Sequence, residues 1–295
     1  MTDILKEIIA HKKMEVAGLD VRALRRAAEQ SPVPRDFRAA VSPLSAHLGS
    51  SAQEAETGME GSHSRHLPSG EGTQVRLIAE LKRASPSRGI LTPGIDLFET
   101  ADIYIDNGAS AISVVTDEKY FLGELQTLYD LRFVHRAALP LLRKDFLITE
   151  PQIYEARANG ADAVLLIAAA LTDDAQFADL HALALEFGLT PLVEVHNEAE
   201  TERALRLRQV RMIGINNRDL ATFKVSLATT ERLRPMIPAN ITVVAESGIF
   251  TTDDVEQLAK AKVDAVLVGE ALITASNIAE KVRELSGLKV QKLES

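Results

Sequence analysis

The stretch Asn159-Gly160-Ala161-Asp162-Ala163-Val164-Leu165-Leu166-Ile167 joins a helix-ending signal to a short apolar run. Glycine suits the left-handed residue that follows the last turn of a helix. The apolar run is nearly continuous, as expected for a strand covered on both faces of a parallel sheet. A helical pattern then covers Ala175 to Phe187, and a second apolar run covers Thr190 to Val195. The stretch therefore predicts a strand–helix–strand unit.

The same unit recurs along the chain from residue 75 onward. Eight short apolar runs are predicted to be strands: Val75–Leu81, Ala111–Thr116, Leu139–Arg143, Asp162–Ile167, Thr190–Val195, Arg211–Ile215, Ile241–Glu246 and Asp264–Val268. Helical patterns of roughly ten residues or more separate most of these runs. Units of this kind and number favour a closed parallel barrel over an open sheet. The predicted fold class is therefore α/β, a TIM (β/α)8 barrel.

The composition is that of a soluble globular protein, with 295 residues of which 46% are hydrophobic and 25% charged. The net charge of −9 argues against a nucleic-acid partner, because such binding relies on a basic face. The absence of cysteine excludes disulfides, thiolate metal sites and cysteine nucleophiles. No signal peptide and no run of roughly 18 apolar residues is visible, so we expect a cytoplasmic protein without a membrane partner.

Two segments are predicted to precede the barrel domain, which we expect to cover residues 75–295. Residues 1–47 form a predicted helical extension, which begins with an apolar stripe at helical spacing made of Ile4, Leu5, Ile8 and Ile9. Residues 48–74 contain almost no large apolar side chain, so we expect a polar, disordered insertion. Because nothing rigid holds His63 and His66 in this insertion, we expect a solvated linker and no metal site.

Charged and polar residues follow the strands at the end where such barrels carry their active sites. The candidate set is Glu80, Lys82, Lys144, Glu194, Asn216, Arg218 and Glu246. Glu80 and Lys82 share one face of a strand, which suits proton transfer between a carboxylate and an ammonium. On that segment alone a structural salt bridge is an equally good explanation. The convergence of lysines and glutamates on one mouth favours a catalytic site.

Alternation along the strands predicts which of these side chains point inward. Lys144 is expected inside the barrel and Arg143 outside it. His196 shares a face with Glu194 but lies one step further out, so we predict a rim position without a catalytic role. The loop from Arg83 to Gly94, which contains Ser, Gly and Pro, is a predicted lid.

The loops after the seventh and eighth strands are the usual phosphate site of these barrels. Here they contain Ser247-Gly248 and Gly269-Glu270. Glycine allows close approach of the backbone to a ligand. Both glycines at these two strands predict a phosphorylated small-molecule substrate.

Four ordered segments resemble hallmark motifs of the indole-3-glycerol-phosphate synthase family of tryptophan biosynthesis. They are Ile78–Ser87, Leu142–Phe146, Gly214–Leu220 and Val244–Ile249. The start of the chain, Ile8–Lys12, is also similar to that of the family, so the resemblance covers the barrel and the extension. The insertion at 48–74 is longer than is usual in the family. The resemblance implies a carboxy-lyase that needs no cofactor and no metal.

The activity implied is ring closure of 1-(2-carboxyphenylamino)-1-deoxyribulose 5-phosphate, with release of carbon dioxide and water. The resemblance assigns ring closure to Lys144 as general acid, and dehydration to Glu80, Lys82 and Glu194 in an order left open. The remaining residues are implied to bind the substrate: Arg218 its carboxylate, Asn216 and Glu246 its hydroxyls, Phe146 and Leu165 its aromatic ring, and Ser247, Gly248, Gly269 and Glu270 its phosphate. Ser85 is a further predicted substrate-binding residue without an assigned contact. A monomer or weak homo-oligomer, in contact with other enzymes of the tryptophan pathway, is the implied state.

Two other functions stay compatible with the sequence. One is a different phosphate-binding barrel enzyme, either an isomerase or an aldolase that forms a Schiff base through Lys82 or Lys144. The other is a non-catalytic barrel that binds a phosphate ester without consuming it. Such a barrel has no need for lysines and glutamates clustered at one mouth.

Overall fold

A computed structural model describes residues 3–42, 75–86, 88–219 and 222–287. The predicted insertion, residues 48–74, lies outside the described residues, as do residues 43–47 at its border. Within the described ranges, no helix combines the length and apolar character needed to cross a membrane.

Eight parallel strands close into a barrel in which each strand pairs with the next in sequence and the last pairs with the first. They are β1 Arg76–Leu81, β2 Ala111–Val115, β3 Leu141–Lys144, β4 Ala163–Ile167, β5 Thr190–Val195, β6 Met212–Asn216, β7 Thr242–Glu246 and β8 Ala265–Val268. The register places Arg76 beside Ala265 where the barrel closes. The TIM barrel prediction is confirmed, and every predicted strand is present with ends shifted by two residues at most.

Helices surround the strands and precede them. The described α-helices are α1 Asp3–Glu15, α2 Val21–Gln30, α3 Phe37–Val41, α4 Leu97–Asp106, α5 Glu118–Phe121, α6 Leu125–Tyr129, α7 Glu150–Ala158, α8 Asp174–Glu186, α9 Glu198–Leu205, α10 Ala228–Leu233, α11 Thr252–Lys260, α12 Glu270–Ile273 and α13 Ile278–Leu285. A two-stranded hairpin, Ala84–Ser85 with Gly89–Ile90, lies in the loop after β1. This loop is the predicted lid.

The N-terminal extension runs along the barrel from its mouth to its base. α2 packs along α7. At the base, the backbone N–H of Arg35 donates to Oδ1 of Asp162, 2.6 Å away, just before β4 begins. α3 then lies below the strands, where Phe37 and Val41 are fully buried in the barrel's own hydrophobic core.

α1 contributes Ile4, Leu5 and Ile8 to the lining of the cavity in the barrel mouth and carries a buried lysine that fastens it there. Nζ of Lys12 lies 3.1 Å from Oδ2 of Asp117 and 2.9 Å from Oδ1 of Asp145, and all three side chains are almost fully buried. Burial opposes the charge on Lys12, but the two aspartates outweigh it and raise its pKa to about 12. The ion pairs therefore attach the first helix to the loops that follow β2 and β3.

Candidate active site

A cavity of about 420 Å³ opens at the carboxyl ends of the strands. Every residue predicted for the site lines it: Glu80, Lys82, Ser85, Lys144, Phe146, Leu165, Glu194, Asn216, Arg218, Glu246, Ser247, Gly248, Gly269 and Glu270. Apart from Leu165 in the middle of β4, each residue comes from the end of a strand or from the loop after it, so the parallel barrel itself brings them together.

Glu80 and Lys82 form a close ion pair at the end of β1. Nζ of Lys82 lies 2.7 Å from Oε1 of Glu80. Burial opposes ionisation of Glu80, but the charges of Lys82 and Lys144 outweigh it and lower the pKa of Glu80 below its ordinary value. The pair therefore holds an ionised carboxylate against an ammonium inside the cavity.

Lys144 lies among three glutamates of the cavity, Glu80, Glu194 and Glu246. Its Nζ is 3.3 Å from Oε2 of Glu194 and 3.6 Å from Oε2 of Glu246. Arg143 points outward, with Nη1 at 2.8 Å from Oε2 of Glu155, so the predicted alternation is what the structure shows. Burial alone lowers the pKa of Lys144, yet the charges of Glu194, Glu246 and Glu80 outweigh it and raise that pKa. An ammonium held charged in this way is an acid and not an amine nucleophile.

Glu194 and Glu246 face the same ammonium and influence each other's ionisation. Glu194 has the better partners, because Asn216 Nδ2 donates to its Oε1 over 3.2 Å. Oε1 of Glu246 is buried without a hydrogen-bond partner among the described residues. Burial and the neighbouring Glu194 raise the pKa of Glu246 to about 8, while Lys144 and hydrogen bonding keep the pKa of Glu194 low. Near neutral pH the two carboxyls therefore hold one proton, which Glu246 carries.

The raised pKa of Glu246 predicts a specific loss of stability at high pH. Because the pKa of Glu246 in the folded state lies above the ordinary 4.5, its protonated form stabilises the folded protein. This contribution to the free energy of unfolding is complete below about pH 4.5 and is lost as the pH rises through about 8. The Glu246→Gln variant cannot ionise there, so its free energy of unfolding should fall less between pH 6 and pH 9 than that of the unmodified chain. Urea unfolding at both pH values measures this; equal falls in the two proteins would refute the assignment.

Gly269 leaves room for the Glu80 carboxylate. A Cβ at this position would lie 2.5 Å from Oε1 of Glu80, which is closer than real contacts allow. We expect Gly269→Ala to push Glu80 away from Lys82, to cost about 1–3 kcal/mol of stability through overpacking, and to lower kcat about a hundredfold. Gly18→Ala is the matched control, since no atom lies within 4 Å of its added Cβ. Thermal melts and steady-state kinetics of both variants test this, and unchanged kinetics in Gly269→Ala would contradict it.

The predicted phosphate end has the expected loop geometry. Ser247 has φ 65° and Gly248 has φ 80°, so the chain turns sharply after β7 through two left-handed residues. A Cβ at Gly248 would lie 2.3 Å from Cγ1 of Val225, so only glycine fits. Gly269 precedes the short helix α12, whose first residue, Glu270, pairs with Arg88 of the predicted lid at 2.8 Å.

Apolar side chains also line the cavity. Leu165 is buried in its wall, and the Phe146 ring lies 6.1 Å from that of Phe121, centroid to centroid. Ile4 and Ile8 of α1 also line it. Together they make an apolar surface suited to an aromatic ring beside the charged cluster.

Some residues of the site were not found from the sequence. The apolar stripe of α1 was recognised, but nothing in it indicated which surface it covers. No sequence pattern indicated that Lys12 forms buried ion pairs. His196 was predicted at the rim, whereas the structure buries its ring with Nε2 3.2 Å from Oε1 of Glu194. The available clue was that Glu200 lies in the first turn of α9, four residues after His196, which directly precedes the N-cap Asn197.

Comparison with known proteins gives a consistent result. A family model described as indole-3-glycerol phosphate synthase matches residues 36–285. A protein of that name from Roseiflexus castenholzii is 46% identical over 297 residues, covering 97% of this chain and 99% of the relative. One from Dehalococcoides mccartyi is 53% identical over 216 residues, covering 73% and 83%. One from Polaromonas naphthalenivorans is 42% identical over 291 residues, covering 97% and 100%.

Solved structures that resemble this one are more distant in sequence. A 3-hexulose-6-phosphate synthase from Salmonella typhimurium matches with a TM-score of 0.54 at 17% identity, covering 72% of this chain and 98% of that one. A mutant tryptophan synthase α-subunit from Pyrococcus furiosus matches with a TM-score of 0.51 at 17% identity, covering 72% and 98%. At this identity the likeness shows the barrel fold alone.

Proposed function

The chain belongs to the indole-3-glycerol phosphate synthase family, and from this premise we propose how its residues close the indole ring of 1-(2-carboxyphenylamino)-1-deoxyribulose 5-phosphate. The observation that carries the proposal is Lys144, a partly buried ammonium held between Glu194 and Glu246 in the cavity. The phosphorylated substrate has a carbonyl, a carboxylate and hydroxyls, and the cavity offers groups of matching chemistry to each.

Ring closure needs a proton at the substrate carbonyl. As the ring carbon that bears the carboxylate attacks the ribulose carbonyl carbon, the carbonyl oxygen gains negative charge and takes a proton from Lys144 Nζ. Carbon dioxide then leaves the same ring carbon, and the electron pair of the broken bond restores the aromatic ring. A positioned acid of this kind contributes about a hundred- to ten-thousandfold in rate.

Dehydration needs an acid for the departing hydroxyl and a base for the adjacent proton. Lys82, paired at 2.7 Å with Glu80, is the acid in this proposal. Glu80 or Glu194 is the base, since both have a pKa below the ordinary value and are ionised at neutral pH. The water that leaves carries the proton of Lys82, and the carboxylate takes up the proton released from the substrate.

The other lining residues bind the substrate in this proposal. Arg218 pairs with the carboxylate until it is lost, and Asn216 and Glu246 hold hydroxyls. Phe146 and Leu165 contact the aromatic ring. The ribulose and phosphate groups contact residues of the polar loops, namely Ser85, Ser247, Gly248, Gly269 and Glu270.

Indole fluorescence tests the proposal. Purified protein mixed with the carboxyphenylamino-deoxyribulose phosphate should generate it, and its absence with a folded protein would refute the proposed activity. Borohydride separates the aldolase alternative, because reduction would trap a Schiff base covalently on Lys82 or Lys144. We expect no such adduct, since Lys144 is held charged.

We also propose the setting in which the enzyme works. Every predicted site residue comes from one chain, so the cavity does not require a second copy. A monomer or weak homo-oligomer in the cytoplasm, in contact with other enzymes of the tryptophan pathway, is the proposed state. Light scattering across a range of concentrations tests the first part; a stable higher oligomer at the lowest concentration would contradict it.

A further inference from the structure

His196 connects Glu194 to the start of α9. Its Nε2 lies 3.2 Å from Oε1 of Glu194, and its Nδ1 lies 2.9 Å from Oε2 of Glu200. The ring is buried, with 8% of the side chain exposed. Glu200 is held in turn, because Asn197 Nδ2 donates to its other oxygen over 2.8 Å. The ring is therefore fixed between two carboxylates, of which only Glu194 lines the cavity.

The partners of the ring determine its protonation. Nδ1 makes a hydrogen bond to Glu200, whereas Nε2 meets Oε1 of Glu194 at 3.2 Å as an ion-pair contact without hydrogen-bond geometry. A carboxylate offers acceptor oxygens, so two of them favour a ring that carries a proton on each nitrogen. Oε2 of Glu200 also accepts from the backbone N–H of His196 at 2.9 Å, which fixes the direction of the ring. Burial alone lowers the pKa of His196, but these two carboxylates outweigh it and raise that pKa to about 10. An imidazolium at this place adds a positive charge on the side of Glu194 that faces away from Lys144.

Glu194 is the group that this charge acts on. Lys144 from β3 and Asn216 from β6 face it as favourable partners. Glu80 from β1 faces it as a like charge, and Glu246 from β7 becomes a second one when it loses its proton. The cationic ring acts on the oxygen opposite the one that contacts Lys144, so removing it would tip the balance towards protonation of Glu194.

We propose that His196 is a positioning residue, which orients the Glu194 carboxylate and keeps it ionised through a doubly protonated ring anchored by Glu200. It touches no substrate atom in this proposal and acts only through Glu194. The proposal rests on the proposed function where activity is the readout.

The first test does not depend on activity. In protein labelled with nitrogen-15 at histidine, the ring signals that disappear in the His196→Gln variant belong to His196. We expect both ring nitrogens to be protonated at pH 8, where an ordinary histidine is neutral. A neutral ring at pH 8 would overturn the proposal whatever the enzyme catalyses.

The second test is the pH profile of kcat. His196→Gln keeps a hydrogen-bond donor without the charge. We expect kcat to fall about tenfold or more, while KM stays within about threefold of the wild-type value. The acid limb of the profile, where kcat falls at low pH, should move up by about one pH unit. Glu200→Gln should move the limb in the same direction by less, because the ring loses one of its two anionic partners. His135→Gln is the matched control, since His135 pairs with Asp102 at 2.7 Å away from the cavity.

The outcomes separate the two proposals. A wild-type protein that makes no indole refutes the proposed function and leaves the ring-protonation test standing. A working enzyme in which His196→Gln and Glu200→Gln keep the wild-type acid limb refutes only the positioning role. If His196→Gln does not fold, the ring signals that shift in Glu200→Gln identify His196, and those signals together with the Glu200→Gln profile decide the question.

Discussion

Lys144→Met is expected to lower kcat by about a hundred- to ten-thousandfold while the barrel stays folded. The substitution keeps the unbranched apolar stem and removes only the ammonium that lies 3.3 Å from Glu194 and 3.6 Å from Glu246. In the proposed mechanism the carbonyl oxygen then has no proton donor during ring closure. The carboxylates left behind can take up protons, as Glu246 already does, so the loss of the cation does not force the barrel to unfold.

The matched control is Lys260→Met, which removes an exposed lysine from α11. Circular dichroism melts and steady-state indole production are measured for both variants. We expect wild-type kinetics from Lys260→Met and a folded but nearly inactive Lys144→Met. Near-normal turnover by Lys144→Met would remove the general acid from the account.

Lys12→Met is expected to detach α1 from the barrel mouth. The change leaves Asp117 without its only described cation and takes one of two from Asp145. Breaking a buried ion pair on one side costs about 3–5 kcal/mol, and the chain can avoid that cost by releasing the helix so that water reaches the aspartates. The cavity then loses the contacts of Ile4 and Ile8, so we expect kcat/KM to fall at least about tenfold.

Hydrogen exchange measures this detachment directly. The amides of Asp3–Glu15 should exchange faster in Lys12→Met, while those of the barrel strands should change little. Lys13→Met is the matched control, because the neighbouring lysine is exposed. Equal protection of α1 in the two variants would show that the helix does not depend on the buried ion pairs.

The barrel was predictable because its signals are local. Each strand is a short apolar run, and glycines such as Gly160 and Gly188, with φ of 83° and 73°, end the helices before β4 and β5. The mouth followed from the same pattern, because parallel strands bring their carboxyl ends to one side. Alternation along β3 was sufficient to place Lys144 inside and Arg143 outside.

Contacts between segments distant in sequence were not predictable. The interaction of Lys12 with Asp145 joins residues on the first helix and the third strand's loop, and no local pattern connects them. His196 is instructive in a different way. Its distance along the strand suggested the rim, but Glu200 from the following helix turns the ring back toward Glu194. A tertiary partner, and not the position in the strand, decides where that ring lies.

The central claim is that this mouth closes an indole ring and releases carbon dioxide in one catalytic sequence. A single-turnover experiment tests it most directly, with enzyme in excess over the carboxyphenylamino-deoxyribulose phosphate labelled at its carboxylate. We expect one indole ring and one labelled carbon dioxide for each substrate molecule consumed, and neither product with Lys144→Met. Substrate consumption without indole, or indole that retains the labelled carboxylate, would contradict it.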